Sequence, residues 1–282
     1  MNNTLANIFT NKAAQSKKFI EIESGVEKTH YEVANRAKEI SKSDDIKNEK
    51  IITVILPNSV GYIECFLGCM LKGSIFSPLP YFTQIQELDK VLKYVGPSLI
   101  ITDRPDVRET FSEEYKVRDV ELLTATGNSF NDHAIDINKP IALYYSSGTT
   151  GNRKSIPKTF RQISNELIVL EKLWGEKVDD KISVGTVSHQ HIYGLLFRVL
   201  WPLCRGTPFT SQASFYWEEL LSRANKSVRL FEKVVNYLSQ GKQPSIKEIN
   251  DVGYLLRTTA VYGSGKFGLL DFERTRYATH FD

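Results

Sequence analysis

Three short, almost purely apolar runs constrain this 282-residue chain more than anything else in it: Ile51–Leu56 (IITVIL), Leu99–Thr102 (LIIT) and Ile141–Tyr145 (IALYY). Runs that do not alternate with polar residues belong to strands buried on both faces, and such strands sit in parallel sheets covered by helices. Helix-period segments stand between and around them. Tyr31–Ser41 carries Val33, Ala34, Ala37 and Ile40 at helical spacing, and Val60–Leu71 is apolar on nearly every side. Thr83 and Gln86 predict a capping box opening a helix over Gln84–Val95. Further helices are expected at Ile163–Trp174 and Tyr193–Leu203, and strands at Ile75–Leu79 and Lys181–Thr186. Lys18–Ile22 and Val26–Tyr31 alternate around Ser24–Gly25 as a hairpin would. Residues 103–138 are polar and weakly patterned, which predicts loop. The fold class that follows is α/β, with layered parallel sheets flanked by helices.

Charge narrows the functional classes. The formal net charge is +3, and nine Lys/Arg against six Asp/Glu from Asn225 onward account for all of it. That is too little to recruit nucleic acid or an anionic membrane. The amino-terminal stretch MNNTLANIFTNKAAQSKK lacks the apolar core of a secretory leader, and no run reaches the length of a membrane span. A cytoplasmic protein is expected. Cys65 and Cys69 lie one helical turn apart in an apolar run without a partner His or Cys nearby, so core packing is expected of them rather than metal binding.

The third apolar run leads straight into YYSSGTTGNRKSIPK, residues 144–158. The carboxyl end of a strand is where open α/β sheets bind ligands. Gly148 and Gly151 permit backbone angles that expose successive amide hydrogens, a nest suited to phosphate oxygens. Ser146, Ser147, Thr149 and Thr150 add hydroxyl donors, and Lys154 adds a positive charge. The P-loop pattern G-x-x-x-x-G-K-[ST] does not fit, because Arg153 stands where its second glycine is required. Its helix would also have to begin near Lys154, where Pro157 intervenes.

Ser146-Ser147-Gly148-Thr149-Thr150-Gly151-Asn152-Arg153-Lys154-Ser155 resembles the phosphate loop of the adenylate-forming superfamily, which includes acyl- and aryl-CoA synthetases and peptide-synthetase adenylation domains. That loop reads [ST]-S-G-T-T-G-x-P-K-G, so Arg153 and Ser155 depart from it. Other segments are similar to the family in the same order: THYEVANRAKEI, VILPNSVGYIECFLGCMLKGSIFSPLP, PSLIITD, and VSHQHIYGLLFRVLWPLCRG with His191 and Gly194 at the motif positions. The resemblance spans residues 5 to 220. It implies that a small carboxylic acid attacks Mg-ATP to give an acyl-adenylate, which then passes to the thiol of CoA or of phosphopantetheine on an acyl carrier protein. Ser146 to Gly151 and Lys154 would hold phosphate, and His191 would sit beside the carboxylate as the catalytic-site residue. His189 carries no such implication.

Against the family pattern, the Y-G-x-T-E stretch, the ribose aspartate and the lid lysine are missing. Tyr262-Gly263-Ser264-Gly265-Lys266 has the Tyr-Gly without the Thr-Glu. No residue is therefore assigned to Mg2+. Residues 1–224 are expected to form a partial adenylation domain, and residues 225–282 a mainly helical tail with helices at Val228–Leu238 and Ser245–Leu256. A separate chain could supply the lid. The alternatives are a remnant that binds ATP or an acyl acid without turnover, and an inactive fusion product.

Overall fold

The structure, a computed structural model, describes residues 5, 7–10, 18–20, 27–126, 135–146, 154–178, 182–207, 209–211 and 259–262. Two compact units divide near residue 168, one built from residues 29–167 and the other mainly from residues after 168.

β1 (Lys18–Ile20) and β2 (Glu27–Thr29) pair as a two-stranded sheet, residues 12–28 grouping with the second unit, and the first unit takes up the chain at Thr29. The helix α1 (His30–Ser41) follows directly. Thr29 and Glu32 start it: the Glu32 amide donates to Thr29 Oγ1 at 3.1 Å while the Thr29 amide donates to Glu32 Oε2 at 2.6 Å. This reciprocal pair satisfies two of the amides that every helix start leaves unpaired.

The main sheet contains β3 (Ile51–Ile55), β4 (Ile75–Pro78), β5 (Leu99–Thr102), β6 (Val117–Arg118), β7 (Pro140–Ser146) and β8 (Lys154–Thr159), in the order β6-β5-β3-β4-β7-β8. Every pairing is parallel except β7 with β8. Helices lie on both faces, as the apolar runs require. On one face α3 (Ile85–Val95) and α4 (Pro105–Phe111) bury Leu88, Val91, Leu92, Val107 and Phe111 against Ile55, Leu79 and Ile100. On the other, α2 (Ser59–Lys72) sets Tyr62 and Phe66 edge-on to Phe76, with ring centroids 4.8 and 5.3 Å apart.

The helix α1 covers α2 in turn. A Cβ on Gly68 would fall 2.6 Å from Ile40 Cγ2, so glycine is what lets the two helices approach. Cys65 and Cys69 are buried free thiols within α2. Burial holds both far above the ordinary thiol range, and they serve as packing groups.

Two expectations fail here. The capping box at Thr83 does not form: Thr83 Oγ1 donates to the Pro80 carbonyl at 2.8 Å, and Gln84 at the helix start makes no side-chain cap. The Pro80–Thr83 turn claims the hydroxyl first. Where residues 103–138 were expected to be loop, residues 103–126 are more ordered than their polarity suggested. They contain α4, the 3-10 turn Val120–Leu122 and β6, which pairs with β5 at Ile100 and Ile101. Amphipathic anchors, Val107 and Phe111, are enough to dock this stretch despite its charged surface.

The second unit has β9 (Ile182–Gly185) paired in parallel with β10 (Thr259–Tyr262). No strand was expected at the latter. The apolar segment predicted as one helix is three consecutive pieces: α6 (Ile192–Gly194), a π-helical stretch Leu195–Leu200, and α7 (Trp201–Arg205), which closes on left-handed Gly206 at φ 75°. The helix α5 (Phe160–Trp174) follows β8 directly after Thr159. The helices expected at Val228–Leu238 and Ser245–Leu256 lie outside the described residues. Among the described residues no helix is long and apolar enough to cross a membrane.

Candidate functional site

The glycine-rich stretch joins two paired strands. In the β7–β8 hairpin Tyr145 lies opposite Ser155, and Ser146 opposite Lys154. Residues 147–153 therefore connect ends that the sheet already holds together, at the carboxyl edge of the parallel strands. Ser147, Gly148, Thr149, Thr150 and Gly151 lie outside the described residues. The backbone of Ser146 and the whole of Lys154 lie within them.

The stem of this hairpin is gripped from both sides of the sheet, because successive strand residues point to opposite faces. Tyr144 turns into the buried face beside Tyr62, and burial pushes both phenols well above their ordinary range. Tyr145 turns the other way. Its hydroxyl accepts from Ser77 Oγ at 3.4 Å, and its ring meets Tyr94 edge-on at 5.9 Å. Burial raises its phenol too.

The strand β8 was not expected. Sequence patterning led from the loop to a helix at Ile163, but Lys154–Thr159 is a strand with its first four residues exposed. The alternation K-S-I-P-K-T was a signal for it, masked by Pro157, which is tolerated because β8 is an edge. A strand at Lys154 also separates this loop from a P-loop, whose lysine opens a helix. Lys154 is exposed at the strand's first position, whereas Lys158 is tied to Glu166 at 2.8 Å. At the far end, the Thr159 amide donates to Gln162 Oε1 at 3.0 Å and the Gln162 amide returns to Thr159 Oγ1 at 3.2 Å, fixing where α5 begins.

His191 belongs to the second unit. It occupies the position just before α6 in extended conformation, φ −89° and ψ 142°, and its side chain does not cap the helix. Its amide donates to the Ser188 carbonyl at 3.1 Å, and its own carbonyl accepts from Leu195 at 2.9 Å. The main chain is thus committed while the imidazole is exposed. His189, by contrast, is buried. Below His191, Tyr193 stacks on Phe197 at 4.3 Å, and Phe197 meets Trp174 and Trp201.

Gly194 is required by space. A Cβ there would land on the Ser188 carbonyl. The π-helical stretch begins at the next residue, and such wider turns concentrate at functional sites. Nothing in the sequence signalled it.

No group of three or more His, Cys, Asp or Glu gathers into a metal site among the described residues. They offer no carboxylate set for Mg2+.

The described residues form a layered α/β fold, with a glycine-rich sequence following the carboxyl end of β7. Comparison with known proteins gives the family: residues 9–217 match the AMP-binding enzyme family, and the chain belongs to that family. It is 25% identical over 210 residues to a medium-chain-fatty-acid–[acyl-carrier-protein] ligase of Moorena producens, a match covering 66% of this chain and 35% of that protein. It is 27% identical over 197 residues to 4-coumarate–CoA ligase-like 1 of Arabidopsis thaliana, covering 63% and 36%. Among solved structures, apo MatB from Rhodopseudomonas palustris superposes with a TM-score of 0.67 at 18% identity, over 79% of this chain and 48% of that one. These structural matches establish the fold. The match extends over little more than a third of each of these two curated relatives.

Proposed function

We propose that this chain activates a small carboxylic acid with Mg-ATP. The observation that carries the proposal is the β7–β8 register, which sets Ser146 opposite Lys154 at the foot of the family's phosphate loop. A carboxylate oxygen attacks the α-phosphorus, the bond to the β-phosphate bridging oxygen breaks, and pyrophosphate leaves. A thiolate then attacks the acyl carbonyl and AMP departs. The protein's task is positioning and neutralising a polyphosphate leaving group. Ser146 to Gly151 and Lys154 hold the phosphates, and His191 stands by the carboxylate. The acceptor is CoA or the phosphopantetheine thiol of an acyl carrier protein, both acceptor types being named among the relatives.

A second version of this reading differs in turnover. A separate polypeptide supplies the lid, and alone the chain binds Mg-ATP without turnover. Thermal unfolding with and without Mg-ATP separates the readings, since a ligand of the folded state raises its stability. The expected result is an upward shift that Lys154→Ala abolishes. Pyrophosphate release with octanoate, 4-coumarate and malonate then distinguishes turnover from binding. No shift at saturating Mg-ATP would overturn both versions.

A further inference from the structure

The π-helical stretch after His191 buries a cation. Arg198 is 1% exposed, one of the largest fully buried side chains among the described residues. Its guanidinium reaches two separate pieces of main chain: Nη1 donates to the Val187 carbonyl at 2.8 Å and Nη2 to the Thr210 carbonyl at 3.3 Å. Thr210 is itself anchored, because its amide donates to the Ser183 carbonyl of β9 at 3.0 Å. The arginine thus bridges the exit of β9 to a segment already fastened to that strand.

Burying a guanidinium is costly, and an apolar side chain of similar volume would often fill the space as well or better. What an apolar residue cannot do is orient carbonyls. Arginine's rigid fork does that in two directions at once. Its target adjoins the carbonyl that Gly194 meets: Gly194 sits under Ser188, and Arg198 holds Val187. Ser188 then folds the segment on itself, its Oγ meeting Gln190 Oε1 at 3.0 Å and accepting the Gln190 amide at 3.2 Å. His189 and Gln190 are buried as a result, and of residues 188–191 only His191 is exposed.

We infer that Arg198 is a positioning residue that acts through the Val187 carbonyl to fix the segment ending at His191, and so the placement of the His191 imidazole. The inference rests on the role proposed above for His191.

The test uses the full chain with 13Cε1-labelled histidine, the His191 signal being assigned from its loss in His191→Gln. Arg198→Lys, which keeps the charge and loses the fork, should move the His191 resonance by more than 0.2 ppm on the proton scale (about the scale of a changed ring environment) while the His30 signal in the other unit stays in place. Pyrophosphate release with Mg-ATP and octanoate should fall about tenfold in kcat with KM for ATP unchanged, equivalent to about 1.4 kcal/mol. His191→Ala should lower it too, and the double variant should fall no further than His191→Ala alone. An unmoved His191 resonance in folded Arg198→Lys, or losses that add in the double variant, would overturn the inference. If the wild type releases no pyrophosphate, the activity reading fails while the resonance still decides the positioning. Arg198→Gln is the second variant should the lysine form not fold, and unfolding of both would overturn the inference in favour of a purely structural cation.

Discussion

The six-stranded sheet ends differently on its two sides. At one edge β6 is two residues long and fastened by charge. Lys116 and Arg118 both pair with Asp45, the second at 2.9 Å, and Arg36 donates to the Val120 and Leu123 carbonyls at 2.7 and 3.1 Å. At the other edge β8 is six residues long, exposed at first, and carries Lys154, Pro157 and Lys158. Both are recognised ways of blunting an edge against stray pairing. At the first edge the cations pair within the domain; at the second Lys158 is likewise paired, with Glu166, while Lys154 stands exposed at the strand's first position, next to the glycine-rich stretch of the sequence.

The largest effect that tests this contrast lies in β7, the strand on which β8 pairs. Tyr144→Ala removes the buried ring that anchors the hairpin and should cost about 3 kcal/mol in urea unfolding. A cost under about 1 kcal/mol would show that the hairpin is not held by its stem. Next comes the β6 edge. Arg36→Met strips two carbonyls of a charged donor, with an expected loss of about 2 kcal/mol.

Asp45→Asn should cost less, about 1 kcal/mol at neutral pH. Its pH dependence sharpens the point. Burial alone would raise the Asp45 carboxyl, but Lys116 and Arg118 outweigh it and leave the group below its ordinary value. A carboxylate depressed in the folded state adds stability above its unfolded pKa, near 3.9, and that stability is lost as pH falls through the folded value. The acid limb of the stability curve should therefore be shallower in Asp45→Asn. An unchanged acid limb would mean that the pair does not hold β6.

Smallest of all should be Lys154→Ala, within about 0.5 kcal/mol of wild type without ligand. Together with loss of the Mg-ATP response, that near-silence would separate the β8 edge from the β6 edge. If Lys154→Ala destabilised the free protein as much as Arg36→Met, the contrast between the edges would collapse.

What the chain shows in its residues follows the same division. The buried strands announce themselves, since IITVIL and LIIT have no alternative to a covered sheet, and they fall within a residue of β3 and β5. The edge strands do not. β6 is too short for a pattern, and β8 looks like loop because an edge tolerates Lys and Pro. The candidate residues divide too. His191 and Lys154 were singled out by motif, while the π-helical turn and the Arg198 bridge depend on main-chain positions that no motif marks. THYE at Thr29–Glu32 was a legible capping box, and TQIQ at Thr83–Gln86 an equally good one that the Pro80 carbonyl pre-empted.

The pairing of Phe76 with Ala142 has a consequence in time. β3, β4 and β5 are linked by single crossovers, but the second neighbour of β4 arrives only after β5, α4 and β6 have been made. As the chain leaves the ribosome, β4 is an unprotected, apolar, pairing-competent edge for that whole interval, the kind of surface that draws nascent chains into aggregates. The hairpin β7–β8 is local and quick to form. Its docking ends the exposure, so the strand that leads into the glycine-rich stretch is also the one whose arrival makes the nascent domain safe from its neighbours.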